Sequence, residues 1–316
     1  MKVIRLSAVL SQTSDKEREL FVRHSWSNGL TMSTLKKTLI LVQILLTTGI
    51  GWEILVTGFF WLYINFFAAI TDSASMDTLS TMVSNQLAFQ INKPNSPVVA
   101  AMFDGSLNQH GPQTYNIGYG GDFLRDLARF ATWTKTSKWK LTSTQQQFWG
   151  DILLNGMQWF SYKNHTAHSV MGRHNERSGT TGSGLPTFLS EFLAVADSTL
   201  PQFSSVLALK NKLTPANSQI DSTKYLWNSH LIMHHSPKYF AAIKMLSNRT
   251  VGAETSDASS GQGLMNFHVA DGSTMLYKKG TEYDKARVGW NWRAIPGATI
   301  KQKNRSFAAG TLEYRL

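Results

Sequence analysis

The spacing of apolar residues changes near residue 223, and the two parts of the chain predict different secondary structure. Before this point, apolar residues recur at helical spacing in four segments: Met76–Ile91, Phe123–Trp133, Gln145–Phe160 and residues 186–200. After it, short apolar runs are separated by Gly, Ser and Asn and predict antiparallel strands: Tyr239–Leu246, Leu264–Val269 and Ser273–Tyr277. Helices followed by strands predict an α+β chain of more than one domain, joined by a linker over residues 212–223.

Two apolar runs near the N-terminus, Leu39–Leu46 and Ile54–Ile70, allow two interpretations. They follow Lys36 and Lys37 and together match about one membrane thickness, which is typical of a membrane anchor. Each run alone is short for a membrane span, and Glu53 lies between them, which favours two buried helices instead. The sequence leaves both interpretations open.

Composition narrows the class of partner. The 316 residues are 42% hydrophobic and only 16% charged, which excludes a disordered chain. The net charge of +11 favours an anionic partner, such as nucleic acid, anionic lipid or an acidic polysaccharide. The chain has no nucleic-acid recognition motif and no concentrated basic patch, so we do not predict nucleic-acid binding. Without cysteine, disulfides, thiolate metal sites and a Cys nucleophile are excluded.

The segment from Asp104 to Gly121 carries the densest candidate chemistry. Gly, Pro and Asn are too frequent there for a helix or a central strand, so a structured loop is predicted. An ordered loop rich in His, Tyr, Asn and Gln is typical of a functional site. Its Gly spacing does not fit a dinucleotide-binding loop, and His110 has no neighbouring metal ligand.

A second candidate motif is Gly172-Arg-His-Asn-Glu-Arg177. Arg173 and Arg177 are four residues apart and would face the same way on a helical turn, where guanidinium groups suit carboxylates. The alternative is a solvated stretch in which Glu176 is the ion-pair partner. Upstream, Trp159 belongs to a cluster of tryptophans that fits either a helical core or a surface that stacks on sugar rings. His168 lies in a polar stretch and is predicted at the surface.

Three ordered blocks carry a resemblance to a known family. They are Asp104-Gly-Ser…Gln109-His-Gly-Pro…Tyr115-Asn…Gly118-Tyr-Gly120, then Gly172-Arg…Arg177, then Met233-His-His…Lys244-Met-Leu-Ser-Asn-Arg249…Glu254…Ile295-Pro-Gly-Ala-Thr299. Together they resemble the polysaccharide lyases of family 8, of the hyaluronate, chondroitin AC and xanthan lyase type. The resemblance implies a partial α/α toroid followed by an antiparallel β-sandwich region. The expected domains are a polar segment 1–38, a helical catalytic domain 39–212 and a β domain 223–316.

The resemblance also implies a reaction and a partner. The family cleaves acidic, uronate-containing polysaccharides such as hyaluronan, chondroitin or xanthan by β-elimination, with no metal and no organic cofactor. The implied catalytic residues are His110, Tyr119, Arg173 and Arg177. The resemblance also implies substrate binding by Glu254, and the further substrate-binding candidates are Asn108, Gln109, Asn116 and Trp159. Tyr119 would take the proton, because a nearby Arg favours the ionised phenol. We expect a monomer, located extracellularly or in the periplasm.

One position departs from the family pattern. The family has a catalytic Asn upstream of the His, and the nearest matching motif here, Thr57-Gly-Phe-Phe60, places Phe60 in its slot. Two alternatives to an active lyase stay open, and the departure at Phe60 motivates the first of them. One is a catalytically weakened, carbohydrate-binding relative. The other is a surface or adhesion protein anchored in the membrane through residues 39–70.

Overall fold

The structure of the chain is a computed structural model. It describes residues 73–92, 101, 103–109, 111–172, 174, 182–213, 220–245, 247–250 and 272–284. Several sequence-based predictions lie outside these residues: those on Phe60, His110, Arg173, Arg177, Glu254, the apolar runs within 39–70 and the strand Leu264–Val269. Within the described part of the chain, no helix is long and apolar enough to cross a membrane.

Five α-helices occupy the described residues before the sheet: α1 Ser73–Asn92, α2 Tyr119–Thr134, α3 Ser143–Asn155, α4 Leu185–Val195 and α5 Pro201–Lys212. The helical spacing of apolar residues predicted the first four of these regions, whereas α5 begins at Pro201, directly after the last predicted segment. Helix α3 begins at a capping box, in which Thr142 and Gln145 satisfy each other's backbone N–H groups. Helices α4 and α5 each have a proline in their first turn, where its missing N–H is not needed.

The strands follow, as the sequence predicted. After a short hairpin of β1 Ser161–Tyr162 and β2 His165–Thr166, the main sheet contains four strands: β3 Ser222–Leu226, β4 Leu231–His235, β5 Phe240–Lys244 and β6 Thr274–Tyr277. Their order is β3-β4-β5-β6, and every neighbouring pair is antiparallel. The predicted class, helices first and an antiparallel β region afterwards, is confirmed. The domain boundaries at 212 and 223 stay a prediction.

The chain divides into two compact units, and the first comprises residues 1–86 and 125–141. In its described part, the Asp77 carboxylate accepts hydrogen bonds from Lys138 Nζ at 2.8 Å and from Trp139 Nε1 at 2.7 Å. These two donors lower the pKa of Asp77, Lys138 first. They join the start of helix α1 to the turn that follows helix α2.

The second unit, residues 87–124 and 142–316, contains the sheet and its core. One face of the sheet is lined by buried apolar side chains that pack against residues 160–170: Leu226, Leu231, Met233, Phe240, Ala242, Met275 and Tyr277. Phe240 stacks on Tyr162 with ring centroids 5.6 Å apart. The strand register places these residues on one side because alternate side chains of a strand point to the same face.

Two buried histidines lie at this core, and one of them corrects the sequence-based expectation. His168, predicted at the surface, is buried against the ring of Tyr283, with centroids 5.6 Å apart. Its backbone N–H donates to the Tyr277 hydroxyl at 3.0 Å. His235 is fully buried, and its Nε2 donates to the Trp159 carbonyl at 2.8 Å. Burial lowers the pKa of both imidazoles to about 4, partly opposed at His235 by the hydrogen bond to Trp159.

These two histidines predict acid-sensitive stability. Both are neutral in the folded chain, whereas the unfolded chain binds protons below about pH 6.5. The free energy of unfolding should therefore be highest above pH 6.5 and fall as the pH drops towards 4, by on the order of 3 kcal/mol for each histidine. Denaturant unfolding measured across this range checks the expectation.

His235→Phe should make the pH dependence shallower, because it removes one titrating group from the core. His234→Gln serves as the control, since the adjacent position points to the opposite face of the sheet. If the free energy of unfolding stays constant between pH 4 and 6.5, His168 and His235 are not buried in the neutral form.

Candidate functional site

The Asn116 side chain bridges two parts of the loop between Ala101 and helix α2. Asn116 Oδ1 accepts a hydrogen bond from the Leu107 backbone N–H at 2.9 Å, and its Nδ2 donates to the Gly105 carbonyl at 3.1 Å. Two isolated antiparallel bridges, Ala101 with Leu107 and Asn108 with Thr114, fold the loop back on itself. The predicted structured loop is confirmed up to Gly118, while Tyr119 begins helix α2.

The loop also approaches the end of helix α3 very closely. Gly105 has a φ of +94°, and a Cβ placed on it would lie 2.0 Å from the Asn155 carbonyl oxygen. Gly156 is also close to the loop, because a Cβ placed on it would lie 2.4 Å from the Gly105 carbonyl oxygen. Only glycine satisfies both the backbone conformation and the space at Gly105, so the Asp-Gly-Ser motif fixes where this loop begins.

The loop motif and the paired-arginine motif meet at the ring of Tyr115. This ring is fully buried and lies 4.7 Å from the Tyr119 ring and 5.6 Å from the His174 ring, centroid to centroid. A Cβ at Gly172 would lie 2.3 Å from the Tyr115 ring, and one at Gly118 would lie 2.8 Å from both Tyr115 and His174. Gly118 and Gly172 both have positive φ, at +88° and +53°. Two motifs more than fifty residues apart therefore form one cluster.

Tyr119, the predicted proton acceptor, is the first residue of helix α2 and only 8% exposed. Its side chain packs against the ring of Tyr115. The described residues Gly172 and His174 bring the motif of Arg173 to this ring cluster. The catalytic roles of His110, Tyr119, Arg173 and Arg177 stay predictions.

Three predicted substrate-binding residues make internal contacts. Asn108 is fully buried, and its Oδ1 accepts from the Ser229 hydroxyl at 3.3 Å. Gln109, also fully buried, exchanges hydrogen bonds with Gln113: its backbone N–H donates at 3.0 Å, and its carbonyl accepts from Gln113 Nε2 at 3.3 Å. Asn116 holds the loop as described above. In this arrangement these side chains shape the loop, and their substrate-binding role stays a prediction.

Trp159, the fourth described substrate-binding candidate, is half-buried and contacts the sheet. Lys224 Nζ lies 5.5 Å from the centroid of its ring and also donates to the Asn155 carbonyl. The ring meets His235 edge-on at 5.9 Å. The described contacts of Trp159 are thus with strands β3 and β4 and not with the Tyr115 ring.

The loop is attached to the turn between β3 and β4 by a buried carboxylate. Asp104 Oδ2 accepts from the Asn228 backbone N–H at 2.7 Å, while its Oδ1 accepts from the Ser106 backbone N–H and hydroxyl at 3.0 and 2.6 Å. The carbonyl of Ser229 in the same turn accepts from the buried Lys244 Nζ at 2.6 Å. These bonds couple the candidate loop to the sheet.

Sequence reasoning did not assign roles to Tyr115, His174 or Asp104. All three lie inside the quoted motifs, and their place in these motifs is the sequence signal by which they could have been identified. Their burial and their partners come from residues far along the chain, which spacing alone does not reveal. In the described part of the chain, no group of three His, Cys, Asp or Glu side chains could hold a metal ion.

Removing the Asn116 side chain should loosen the loop. Asn116→Ala leaves the buried Leu107 N–H and Gly105 carbonyl without their partner, and we expect a loss of about 2 kcal/mol in the free energy of unfolding. Denaturant unfolding of the variant checks this. Asn92→Ala, at the exposed end of helix α1, is the control and should change stability little. Equal stability of the two variants would show that Asn116 does not hold the loop.

Comparisons with known proteins agree with this architecture. Residues 100–205 match the family described as polysaccharide lyase family 8, N terminal alpha-helical domain. Residues 221–314 match its super-sandwich domain. The chain is 22% identical over 206 residues to a chondroitinase-AC of Pedobacter heparinus, an alignment that covers 63% of this chain and 28% of that protein.

Solved structures show the same fold. A xanthan lyase of Paenibacillus superposes with a TM-score of 0.64 at 18% identity, covering 80% of this chain and 27% of that chain. A chondroitin AC lyase of Streptomyces coelicolor A3, solved with chondroitin sulphate, superposes with a TM-score of 0.62 at 17% identity, covering 78% and 38%. This chain therefore spans between 27% and 38% of the length of these relatives. With a helical match followed by a sandwich match in the family's own order, the chain belongs to polysaccharide lyase family 8.

Proposed function

We propose that the chain cleaves an acidic, uronate-containing polysaccharide by β-elimination, with Tyr119 at the reacting centre. The observation that carries this proposal is the meeting of the loop motif and the paired-arginine motif at the Tyr115 ring. Proximity of two distant motifs requires the tertiary fold, so it supports a shared site. Relatives named chondroitinase-AC and xanthan lyase indicate the class of polymer, with hyaluronan as a further candidate.

The chemistry demands a base, a carboxylate partner and a proton donor. The base removes the proton from C5 of the uronate, the electrons form a C4–C5 double bond, and the C4–oxygen bond breaks. The departing oxygen takes a proton, and no water is added. Because negative charge builds on the uronate carboxylate as the proton leaves, a cation or hydrogen-bond donor must stabilise it.

The residues of the two motifs can fill these roles. In the proposal, Tyr119 removes the C5 proton and returns it to the departing oxygen. Arg173 and Arg177 favour the ionised phenol and hold the carboxylate through paired N–H groups. His110 binds the same uronate, and Glu254, from the β region, contacts the polymer. An extracellular or periplasmic location belongs to the same proposal.

Phe60 supports a second candidate, a relative that binds the polysaccharide but cleaves it weakly. The family's Asn at this slot would offer an amide donor to the uronate carboxylate, whereas Phe offers none. If the chain binds and does not cleave, Phe60→Asn is the variant that should restore turnover.

A panel of polysaccharides tests the proposal. Hyaluronan, chondroitin and xanthan are incubated with the chain, and the unsaturated uronate is followed by ultraviolet absorbance. We expect absorbance to grow with at least one of them and not with a neutral glucan or with a carboxyl-reduced form of the same polymer. Cleavage of the neutral glucan, or no binding and no cleavage of any acidic polymer, would contradict the proposal.

A further inference from the structure

Two large aromatic side chains remain exposed beside the candidate loop. Phe103 is 54% exposed and Trp227 is 47% exposed. They directly precede Asp104 and Asn228, which are joined by the 2.7 Å hydrogen bond described above. Because consecutive Cα atoms lie 3.8 Å apart, the Cα atoms of the two aromatic residues are within roughly 14 Å of each other. One oligosaccharide is long enough to touch both.

Two cations, Lys244 and Arg249, accompany the turn that carries Trp227. Its last residue, His230, is partly buried and has positive φ, at +51°. The Met245 backbone N–H donates to the His230 carbonyl at 2.8 Å, so the segment that leads to Arg249 begins at this turn. Burial lowers the pKa of His230, and the charges of Arg249 and Lys244 lower it further. The Lys244 ammonium is buried and bound to the Ser229 carbonyl, whereas Arg249 is exposed. Arg249 is therefore the cation available to an anionic ligand.

We propose that Phe103, Trp227 and Arg249 form a second binding surface for the acidic polysaccharide, here called the turn surface. The aromatic rings would cover the apolar faces of sugar rings, and Arg249 would pair with a carboxylate or sulfate of the same chain. The surface would hold sugar units adjacent to the reacting one, since Asp104 joins this turn to the loop that leads to Tyr119. This inference rests on the proposed substrate class and adds residues that the two catalytic motifs do not contain.

Charge and position favour a polysaccharide over a protein as the occupant. An exposed aromatic pair alone suits either partner. Here the pair flanks the loop of the candidate site and lies beside an exposed cation, on a chain whose net charge is +11. An acidic polymer that reaches Tyr119 satisfies all three features.

Direct binding measurements test the turn surface separately from turnover. Titration calorimetry with hyaluronan and chondroitin oligosaccharides of increasing length is performed on the full chain and on Trp227→Ala, Phe103→Ala and Arg249→Gln. We expect Trp227→Ala to weaken binding of the longer oligosaccharides about tenfold and to leave the shortest ones unaffected. The loss in Arg249→Gln should shrink at high salt, because the interaction is between exposed charges.

Tyr239→Ala and Lys238→Gln are the matched controls. They remove an exposed aromatic side chain and an exposed cation from the turn between β4 and β5. This turn lies at the opposite end of strand β4 from the turn that carries Trp227. Thermal unfolding should give similar midpoints for all five variants, because each replaced side chain is at least partly solvent-exposed. Binding by the controls should match that of the unmodified chain.

Each remaining outcome is decisive. Tight binding or cleavage by the unmodified chain, with no change in Trp227→Ala, Phe103→Ala or Arg249→Gln, would overturn the turn surface and leave the proposed function standing. No binding of any acidic oligosaccharide would overturn both. If Trp227→Ala instead converted a dimer to a monomer in sedimentation while oligosaccharide binding was unchanged, the surface would be a protein interface and the proposal wrong.

Discussion

Tyr119→Phe should reduce kcat on the acidic polysaccharide by about 100-fold to 10,000-fold, the range typical of losing a general acid or base. The variant keeps the ring that packs on Tyr115 at 4.7 Å and removes only the hydroxyl. KM should change little, because the hydroxyl acts in the transition state while the ring supplies ground-state contact. Steady-state kinetics on the polymer identified by the panel provide both constants.

Tyr225→Phe is the control for this measurement. Tyr225 is exposed on strand β3, and loss of its hydroxyl should leave kcat unchanged. A normal fold of Tyr119→Phe is checked by its thermal midpoint. Near-normal kcat in a well-folded Tyr119→Phe chain would show that another residue takes the C5 proton.

Gly105→Ala should be the most destabilising of the glycine substitutions in the loop. The new methyl group would lie 2.0 Å from the Asn155 carbonyl oxygen, and the φ of +94° is strained for any residue with a Cβ. Both partners are backbone atoms, so neither can move away as a flexible side chain would. We expect a loss of at least about 3 kcal/mol in the free energy of unfolding. Denaturant unfolding measures this loss.

Gly182→Ala is the matched control, because no atom lies within 4 Å of the Cβ position there. Its free energy of unfolding should stay within about 0.5 kcal/mol of that of the unmodified chain. Oligosaccharide binding by Gly105→Ala should weaken as well, since Gly105 begins the loop that leads to Tyr119. A Gly105→Ala chain as stable as the control would show that the loop and helix α3 are not in this close contact.

Local periodicity predicted most of the helices and strands because each buries one face. Periodicity was less accurate where contacts with residues far along the chain determine where an element begins or which side chain is buried. Helix α2 begins at Tyr119 although two glycines follow. Close packing accounts for one of them, since a Cβ at Gly120 would lie 3.2 Å from the Tyr115 carbonyl oxygen. Strand β3 begins at Ser222 inside the predicted linker, because an exposed, polar strand carries little apolar signal.

The candidate site was predictable as motifs and not as contacts. The loop and the paired-arginine motif were both recognised, but the ring of Tyr115 that joins them was not, since nothing in its spacing reveals its neighbours. His168 was placed at the surface from its polar neighbours, whereas Tyr277 and Tyr283, more than a hundred residues later, bury it. A single sequence does not reveal contacts between residues so far apart along the chain.

The route of bond cleavage is the central claim, and one labelling experiment tests it most directly. The polymer that responds in the panel is cleaved in water enriched in heavy oxygen, and the products are weighed by mass spectrometry. β-Elimination adds no water, so one product should carry the C4–C5 double bond, and products weighed promptly, before the reducing-end hemiacetal oxygen exchanges with solvent, should be free of the label. Heavy oxygen at the new chain ends, without unsaturation, would mean hydrolysis and would contradict the account.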